Sequence, residues 1–190
     1  ARPRDRDLRL TRAQLHREAG AWAAMVEDCS VAIELMPSDP VAVLARAVAH
    51  AKLGNLDRAM KDCNAAIRLD PGRGAAYATR ALVHRARRDW AAVAADCGLA
   101  LARAPPRRPE VLCTRAVAYG NMGKLDELIQ DCTDAIRYDP SYEQAYMNRG
   151  SGYLRKEEWI AAEKDFTKVR DEAQCYVDLI LRYFLHMGDE

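Results

Sequence analysis

Between Leu56 and Ile67 the apolar side chains fall at Leu56, Ala59, Met60, Cys63, Ala66 and Ile67. Steps of three and four residues gather them on one stripe of a helix, with charged positions on the other side. Gly54-Asn55 precedes this stretch and Asp70-Pro71 closes it, a glycine turn at one end and a proline stop at the other. The same alternation of stripe and punctuation predicts helices over residues 6–19, 22–35, 40–53, 56–69, 74–87, 90–103, 109–122, 125–138, 143–156 and 159–171. A further amphipathic stretch, Gln174 to Met187, reads as one more helix ending at Gly188.

The stripes recur on a fixed period. Asp-Cys stands at Asp28-Cys29, Asp62-Cys63, Asp96-Cys97 and Asp131-Cys132, and returns as Asp165-Phe166, in steps of 34, 34, 35 and 34 residues. Arg followed by a small residue keeps the same steps at Arg12-Ala13, Arg46-Ala47, Arg80-Ala81, Arg115-Ala116 and Arg149-Gly150. Both markers slip by one residue at the same place, the proline-rich link Ala104-Pro105-Pro106-Arg107-Arg108-Pro109. Each period is one helix–turn–helix unit, which buries its apolar face only by stacking on its neighbours. The units fall at about 6–39, 40–73, 74–108, 109–142 and 143–173, with an extra helix at 174–187 and an N-terminal extension over 1–5. The link predicts a local change of pitch, not a domain boundary. The extra helix reads either as a cap or as the first half of a sixth unit, and its large apolar residues, where a cap takes a polar outer face, favour the second.

The pattern Asn148-Arg149-Gly150…Tyr153…Trp159…Ala162…Phe166, with Gly54…Ala59…Ala66…Pro71, resembles the tetratricopeptide repeat family over nearly all of residues 6–188. The resemblance implies an all-α fold, a right-handed α-solenoid or superhelix of about five units plus the extra helix. It also implies that the first helices line a concave groove for a peptide or partner helix, without catalysis. One subtype of the family clamps acidic chaperone tails through Lys, Asn and Arg. Here the corresponding places hold Val41, Ala45, Ala75, Thr79 and Thr114, and only Asn148 matches, so such a clamp is not expected.

Composition narrows the function. Apolar residues make up 49%, charged residues 30%, and the net charge is +1, which gives no basic field for nucleic acid. No run approaches 18 apolar residues and the opening Ala1–Asp7 lacks a signal-peptide pattern, so neither a membrane span nor secretion is expected. Four of six cysteines sit one period apart at equivalent positions, which suits packing in a reducing, cytoplasmic compartment better than disulfides.

Two columns could carry chemistry. Cys29, Cys63, Cys97 and Cys132 align, as do His16, His50 and His84, the latter continued by Tyr119 and Tyr153. A metal or a thiolate–imidazole pair needs such residues, but each unit offers one of each where structural zinc takes four ligands. Core packing is the better reading, with neither metal nor cofactor. The Arg and Asp columns read either as an anion-binding ladder or as structural pairs, each Arg reaching the Asp of the preceding unit, Arg46 to Asp28 and Arg80 to Asp62. The structural reading is the stronger.

By helical phase the groove floor takes Leu10, Gln14, Leu44, Val48, Ala78, Leu82, Cys113, Val117, Met147 and Ser151, with Asn148 beside it. Arg17, Lys52, Arg85, Asn121 and Arg155 stand near its edge. An apolar floor with a basic rim suits an apolar helix or extended peptide carrying acidic residues. The sequence therefore predicts a non-catalytic scaffold that binds a protein or peptide, part of a longer chain in a multi-subunit assembly, cytoskeletal or ciliary being one setting. The alternative is the substrate-recruiting region of an enzyme such as a glycosyltransferase. That relative would carry a column of groove asparagines, whereas Thr11, Ala45, Thr79, Thr114 and Asn148 stand there.

Overall fold

The computed structural model describes residues 3–103 and 108–169. Among these residues there are ten helices and no strand, packed as successive helix hairpins, an all-α fold of the α-solenoid class. They divide into two compact units at Ala104 and Pro105. The proline-rich link and the predicted helix at 174–187 lie outside the described residues.

The first unit contains α1 (Pro3–Glu18), α2 (Trp22–Leu35), α3 (Pro40–Lys52), α4 (Leu56–Leu69), α5 (Gly74–Ala86) and α6 (Trp90–Arg103). Each odd helix pairs with the even helix after it, and α2 and α4 pack on α3 and α5 in turn. Helices α1, α3 and α5 also touch in succession, whereas α2, α4 and α6 do not touch one another. The first helices therefore take the tighter side of the stack and the second helices the wider side. Small residues make the close approach possible: Ala42, Ala47, Ala49, Ala59, Ala66, Ala76 and Ala81 are all fully buried. Val83 packs against Ala59 and Cys63 of α4, and Ala49 against Met25 and Cys29 of α2.

The second unit contains α7 (Pro109–Asn121), α8 (Leu125–Tyr138), α9 (Glu143–Arg155) and α10 (Trp159–Phe166). It repeats the scheme, with α8 on both α7 and α9, α7 against α9, and α10 on α9. Helix α10 ends at Phe166, short of the predicted 171. Beyond it the backbone bonds span three residues, Lys168 N–H to the Asp165 carbonyl and Val169 N–H to that of Phe166, which closes the helix as a turn. Helix α1 starts at Pro3, earlier than the predicted residue 6, with proline in the first turn where no donor is needed.

Each hairpin turn has one left-handed residue, Gly20, Gly54, Arg88, Gly123 or Glu157, with φ between 60° and 77°. The next N–H then reaches back to a carbonyl in the last helical turn, those of His16, His50, His84, Tyr119 and Tyr153. This is the six-to-one bond of a Schellman motif. At the exits a carboxylate takes over. Asp39 Oδ1 accepts the Val41 N–H at 2.9 Å, Asp70 that of Gly72 at 3.1 Å, and Asp139 that of Ser141 at 3.0 Å.

Candidate functional site

The Arg and Asp columns meet inside each hairpin. Arg46 donates from Nε and Nη2 to the two oxygens of Asp62 at 2.8 and 2.9 Å, Arg80 to Asp96 at 2.8 and 2.7 Å, Arg115 to Asp131 at 2.8 and 2.7 Å, and Arg149 to Asp165 at 2.7 Å twice. Arg12 makes the same fork with Asp28. The expected pairing of Arg46 with Asp28 and Arg80 with Asp62 is thereby corrected: every fork joins residues 16 apart, on the two helices of one hairpin. A residual link to the preceding hairpin comes from the remaining nitrogen. Arg46 Nη1 reaches Ser30 Oγ at 3.3 Å, Arg80 Nη1 reaches Asn64 Oδ1 at 2.8 Å, and Arg149 Nη1 reaches Thr133 Oγ1 at 3.1 Å.

The carboxylates are buried, and bidentate pairing is what makes that burial tolerable. Local balance differs along the column. Hydrogen bonds from Arg12 hold Asp28 below the usual carboxylate range, whereas burial pushes Asp131 above it against the bonds from Arg115. Arginines engaged in this way do not form an open anion ladder.

The five cysteines described are buried. Burial pushes the Cys29 thiol up to about 11 and that of Cys63 up to about 12, and Cys132, hydrogen-bonded with Cys113, moves in the same direction. Such thiols stay protonated and do not act as nucleophiles at neutral pH. His16 and His84 turn toward carboxylates, with Nε2 3.5 Å from Asp28 and 3.7 Å from Asp96. Among the described residues no group of three or more His, Cys, Asp or Glu could hold a metal ion.

On the first-helix side of the first unit lie two adjoining hollows. One, of about 270 Å³, is lined by Gln14, Arg17, Leu44 and Val48 together with Met25, Val41, Ala45, Arg73, Ala75 and Thr79. The other, of about 320 Å³, is lined by Val48, Lys52, Leu82 and Arg85 together with Ala51, Leu56, Thr79 and Ala86. Val48 and Thr79 are common to both. Of the sequence-predicted residues in this unit, only Leu10 and Ala78, both half-buried, line neither hollow. Arg73 was not among the candidates. It sits in the exit turn before α5, outside the helical phase used to choose them, and its Nε is 3.1 Å from Asp70 Oδ2. No carboxylate lines either hollow. Arg17 and Arg85 make no ion pair among the described residues, and Lys52 lies over the Trp22 ring, 5.8 Å from its centre.

In the second unit the predicted residues separate. Cys113 and Met147 are 3% and 8% exposed, Met147 packing with Ala162 and Phe166 in the core. Val117, Asn148 and Ser151 are half-buried, and Asn121 and Arg155 are exposed. Arg155 spans to α7, donating from Nη1 to the Gly120 carbonyl at 2.7 Å, and Asn121 donates to the Val117 carbonyl at 2.8 Å. Asn148 Oδ1 accepts from Gln144 at 3.0 Å, and its Nδ2 is buried without a partner among the described residues.

Comparison with known proteins gives a consistent answer. The tetratricopeptide repeat model matches residues 40–73 and 109–142, which hold α3–α4 and α7–α8. Human DnaJ homolog subfamily C member 7 is 35% identical over 60 residues, 32% of this chain and 12% of that protein. The Arabidopsis thaliana TPR repeat-containing thioredoxin TTL4 is 40% identical over 50 residues, 26% of this chain and 7% of that protein. Both matches span a small part of these much longer relatives. Among solved structures, MamA from Desulfovibrio magneticus RS-1 superposes with a TM-score of 0.78 at 20% identity, covering 88% of this chain and 94% of that one. Another MamA structure gives 0.74 at 18%, covering 86% and 89%. At these identities the likeness is one of fold.

Proposed function

We propose that this chain, whose residues 40–73 and 109–142 match the tetratricopeptide repeat model, is a non-catalytic interaction scaffold that holds an acidic, apolar peptide along the first-helix face of residues 3–103. The observation that carries this reading is the composition of the two hollows. Val41, Leu44, Val48 and Leu82 supply an apolar floor, Val41 and Leu82 being exposed, and Arg17, Lys52, Arg73 and Arg85 surround it with no carboxylate among the lining residues. A run of small hollows fits successive side chains of a peptide better than one compact ligand. Cations at the rim guide a partner of opposite charge and fix its register, while the apolar contacts supply most of the hold.

The five buried thiols support a reducing compartment for this scaffold. No described helix is long and apolar enough to cross a membrane. The binding reading is tested with a fluorescent peptide of about a dozen alternating leucine and glutamate residues, against its leucine–lysine counterpart. The acidic peptide is expected to bind, and Leu82→Glu or Arg85→Glu to weaken it by about tenfold, roughly 1.4 kcal/mol. Equal binding of both peptides, or indifference to both substitutions, overturns the proposal.

A further inference from the structure

The turn of the α3–α4 hairpin lacks a group that the turn of the α5–α6 hairpin supplies. At the start of α6, Asp89 Oδ1 accepts the Ala92 N–H at 3.2 Å, and Asp89 Oδ2 lies 3.7 Å from His84 Nδ1. One carboxylate therefore caps the helix and faces the imidazole at once. Moving back one repeat, Asn55 stands for Asp89, Arg58 for Ala92 and His50 for His84. Asn55 makes no side-chain bond to the start of α4, and the Asp57 and Arg58 N–H groups have no acceptor among the described residues. His50 is 6% exposed, and its Nδ1 is buried with no hydrogen-bond partner among the described residues. The other turns differ on this point. The side chain of His16 is 30% exposed, so water meets its ring, and Tyr119 and Tyr153 take the place in the α7–α8 and α9–α10 hairpins.

At this turn lies a hollow of about 520 Å³, lined by Gly54, Asn55, Leu56, Asp57, Arg58 and Arg87. Arg87 reaches it from the next turn and donates from Nη2 to Asp57 Oδ1. That pair cancels one charge of each sign and leaves Arg58, which is exposed and makes no ion pair among the described residues, in surplus. The start of α4 adds the positive end of a 14-residue helix. Two open N–H groups and an uncancelled guanidinium thus converge where the next hairpin holds a carboxylate.

We propose that this turn is an oxyanion site: a carboxylate or phosphate oxygen takes the Arg58 N–H as Asp89 takes that of Ala92, while the Arg58 and Arg87 guanidinium groups hold the rest of the anion. Seated there, the anion stands before His50 as Asp89 Oδ2 stands before His84 Nδ1. Asp62 favours a protonated His50 ring, and Arg46 and Arg58 disfavour it. An anion that draws the charge of Arg58 to itself tips that balance toward the proton. Leu56 lines both this hollow and the second peptide hollow, so the oxyanion has two sources, an acidic residue of a bound peptide or a free anion. The site itself does not depend on the peptide-binding reading.

The test titrates the 190-residue chain with inorganic phosphate against chloride of equal ionic strength. The amide resonances of Asp57 and Arg58 and the ring resonances of His50 are expected to shift with one saturation constant, which Arg58→Gln weakens about tenfold. Asn55→Asp places in the chain the carboxylate that Asp89 supplies, so it should raise the titration of His50 without phosphate and abolish the phosphate response. Both positions are exposed, so both variants fold as the parent does. The leucine–glutamate peptide lengthened by one glutamate separates the sources. A gain in affinity that Arg58→Gln removes and Leu82→Glu spares assigns the oxyanion to the peptide, and a phosphate response without that gain assigns it to a free anion. A peptide that fails to bind while phosphate still shifts Asp57 and Arg58 removes the groove reading and keeps this site. No phosphate response at Asp57 and Arg58, a response that Arg58→Gln leaves as strong, or a His50 titration unmoved by Asn55→Asp overturns the inference.

Discussion

A methyl group at Gly150 would stand 2.6 Å from Cε1 and 2.8 Å from Cζ of Phe166. The same two places in the other hairpins hold Ala with Cys: Ala13 packs near Cys29, Ala47 near Cys63 and Ala116 near Cys132. Among the described hairpins only α9–α10 puts a ring where the others put a thiol, and it gives up the facing Cβ to make room. Gly150→Ala is therefore expected to destabilise by about 1–3 kcal/mol despite the better helix propensity of Ala, because the ring must move or the helices part. In a chain already carrying Phe166→Cys the same Gly150→Ala change should stabilise, since it restores the Ala–Cys pair. Urea unfolding of the four combinations checks the reversal of sign, and destabilisation in both backgrounds would refute it.

The forks predict which arginine and aspartate are coupled. Arg46→Ala leaves Asp62 buried without its bidentate partner, a change expected to cost about 3 kcal/mol. Asp62→Ala leaves the guanidinium better placed to reach water, and the double variant should be more stable than the sum of the two losses implies, by about 1–3 kcal/mol. The coupling of Arg46 with Asp28, the aspartate of the preceding hairpin, should be smaller. A double-mutant cycle on each pair measures both, and a larger coupling with Asp28 would contradict the observed pairing.

Helix positions were legible because glycine and proline punctuate an apolar stripe of period 3.6, and because two markers repeat it five times. The partner of each arginine was misread although the signal was present. Separation from Arg to Asp within a hairpin is 16 at all five places, Arg12–Asp28 to Arg149–Asp165, whereas separation to the preceding Asp changes from 18 to 19 across the 35-residue step. A direct contact keeps its spacing through an insertion outside the hairpin. The groove was harder to read. A first helix here is packed on one side by its own partner helix and on another by the helix before it, so only a narrow stripe stays open. Phase alone placed Cys113 and Met147 on that stripe, and packing buries both. The exposure of Leu8 and Leu15 was hidden for the opposite reason: an apolar residue in a stripe reads as core.

Turn residues offer a gain in stability. Arg88 and Glu157 adopt φ of 60° and 63° at the position where Gly20, Gly54 and Gly123 stand in the other turns. A side chain in this region crowds the backbone by roughly 1–2 kcal/mol, partly offset by the greater freedom that glycine loses on folding. Arg88→Gly and Glu157→Gly are each expected to stabilise by about 0.5–1 kcal/mol. Thermal melts should show a rise for each variant, and a fall in both would mean that the side chains contribute more than the strain removes.

His50 supplies a dependence on pH. Its ring is 6% exposed, Nδ1 is buried without a hydrogen-bond partner among the described residues, and burial holds the imidazole below its ordinary value of 6.5. The nearby charges oppose one another, Asp62 favouring the protonated ring and Arg46 and Arg58 disfavouring it. Between the lowered folded value and the unfolded value near 6.5, the unfolded chain binds a proton that the folded chain does not, so stability rises with pH across that window. The full contribution is present above about 6.5 and is lost as the pH falls toward the folded value. His50→Gln keeps a polar side chain of similar size and removes the titration. Unfolding free energies measured from pH 7.5 down to 5.5 should therefore fall less steeply for the variant than for the parent. Equal slopes would show that His50 takes up its proton in the folded chain as readily as in the unfolded one.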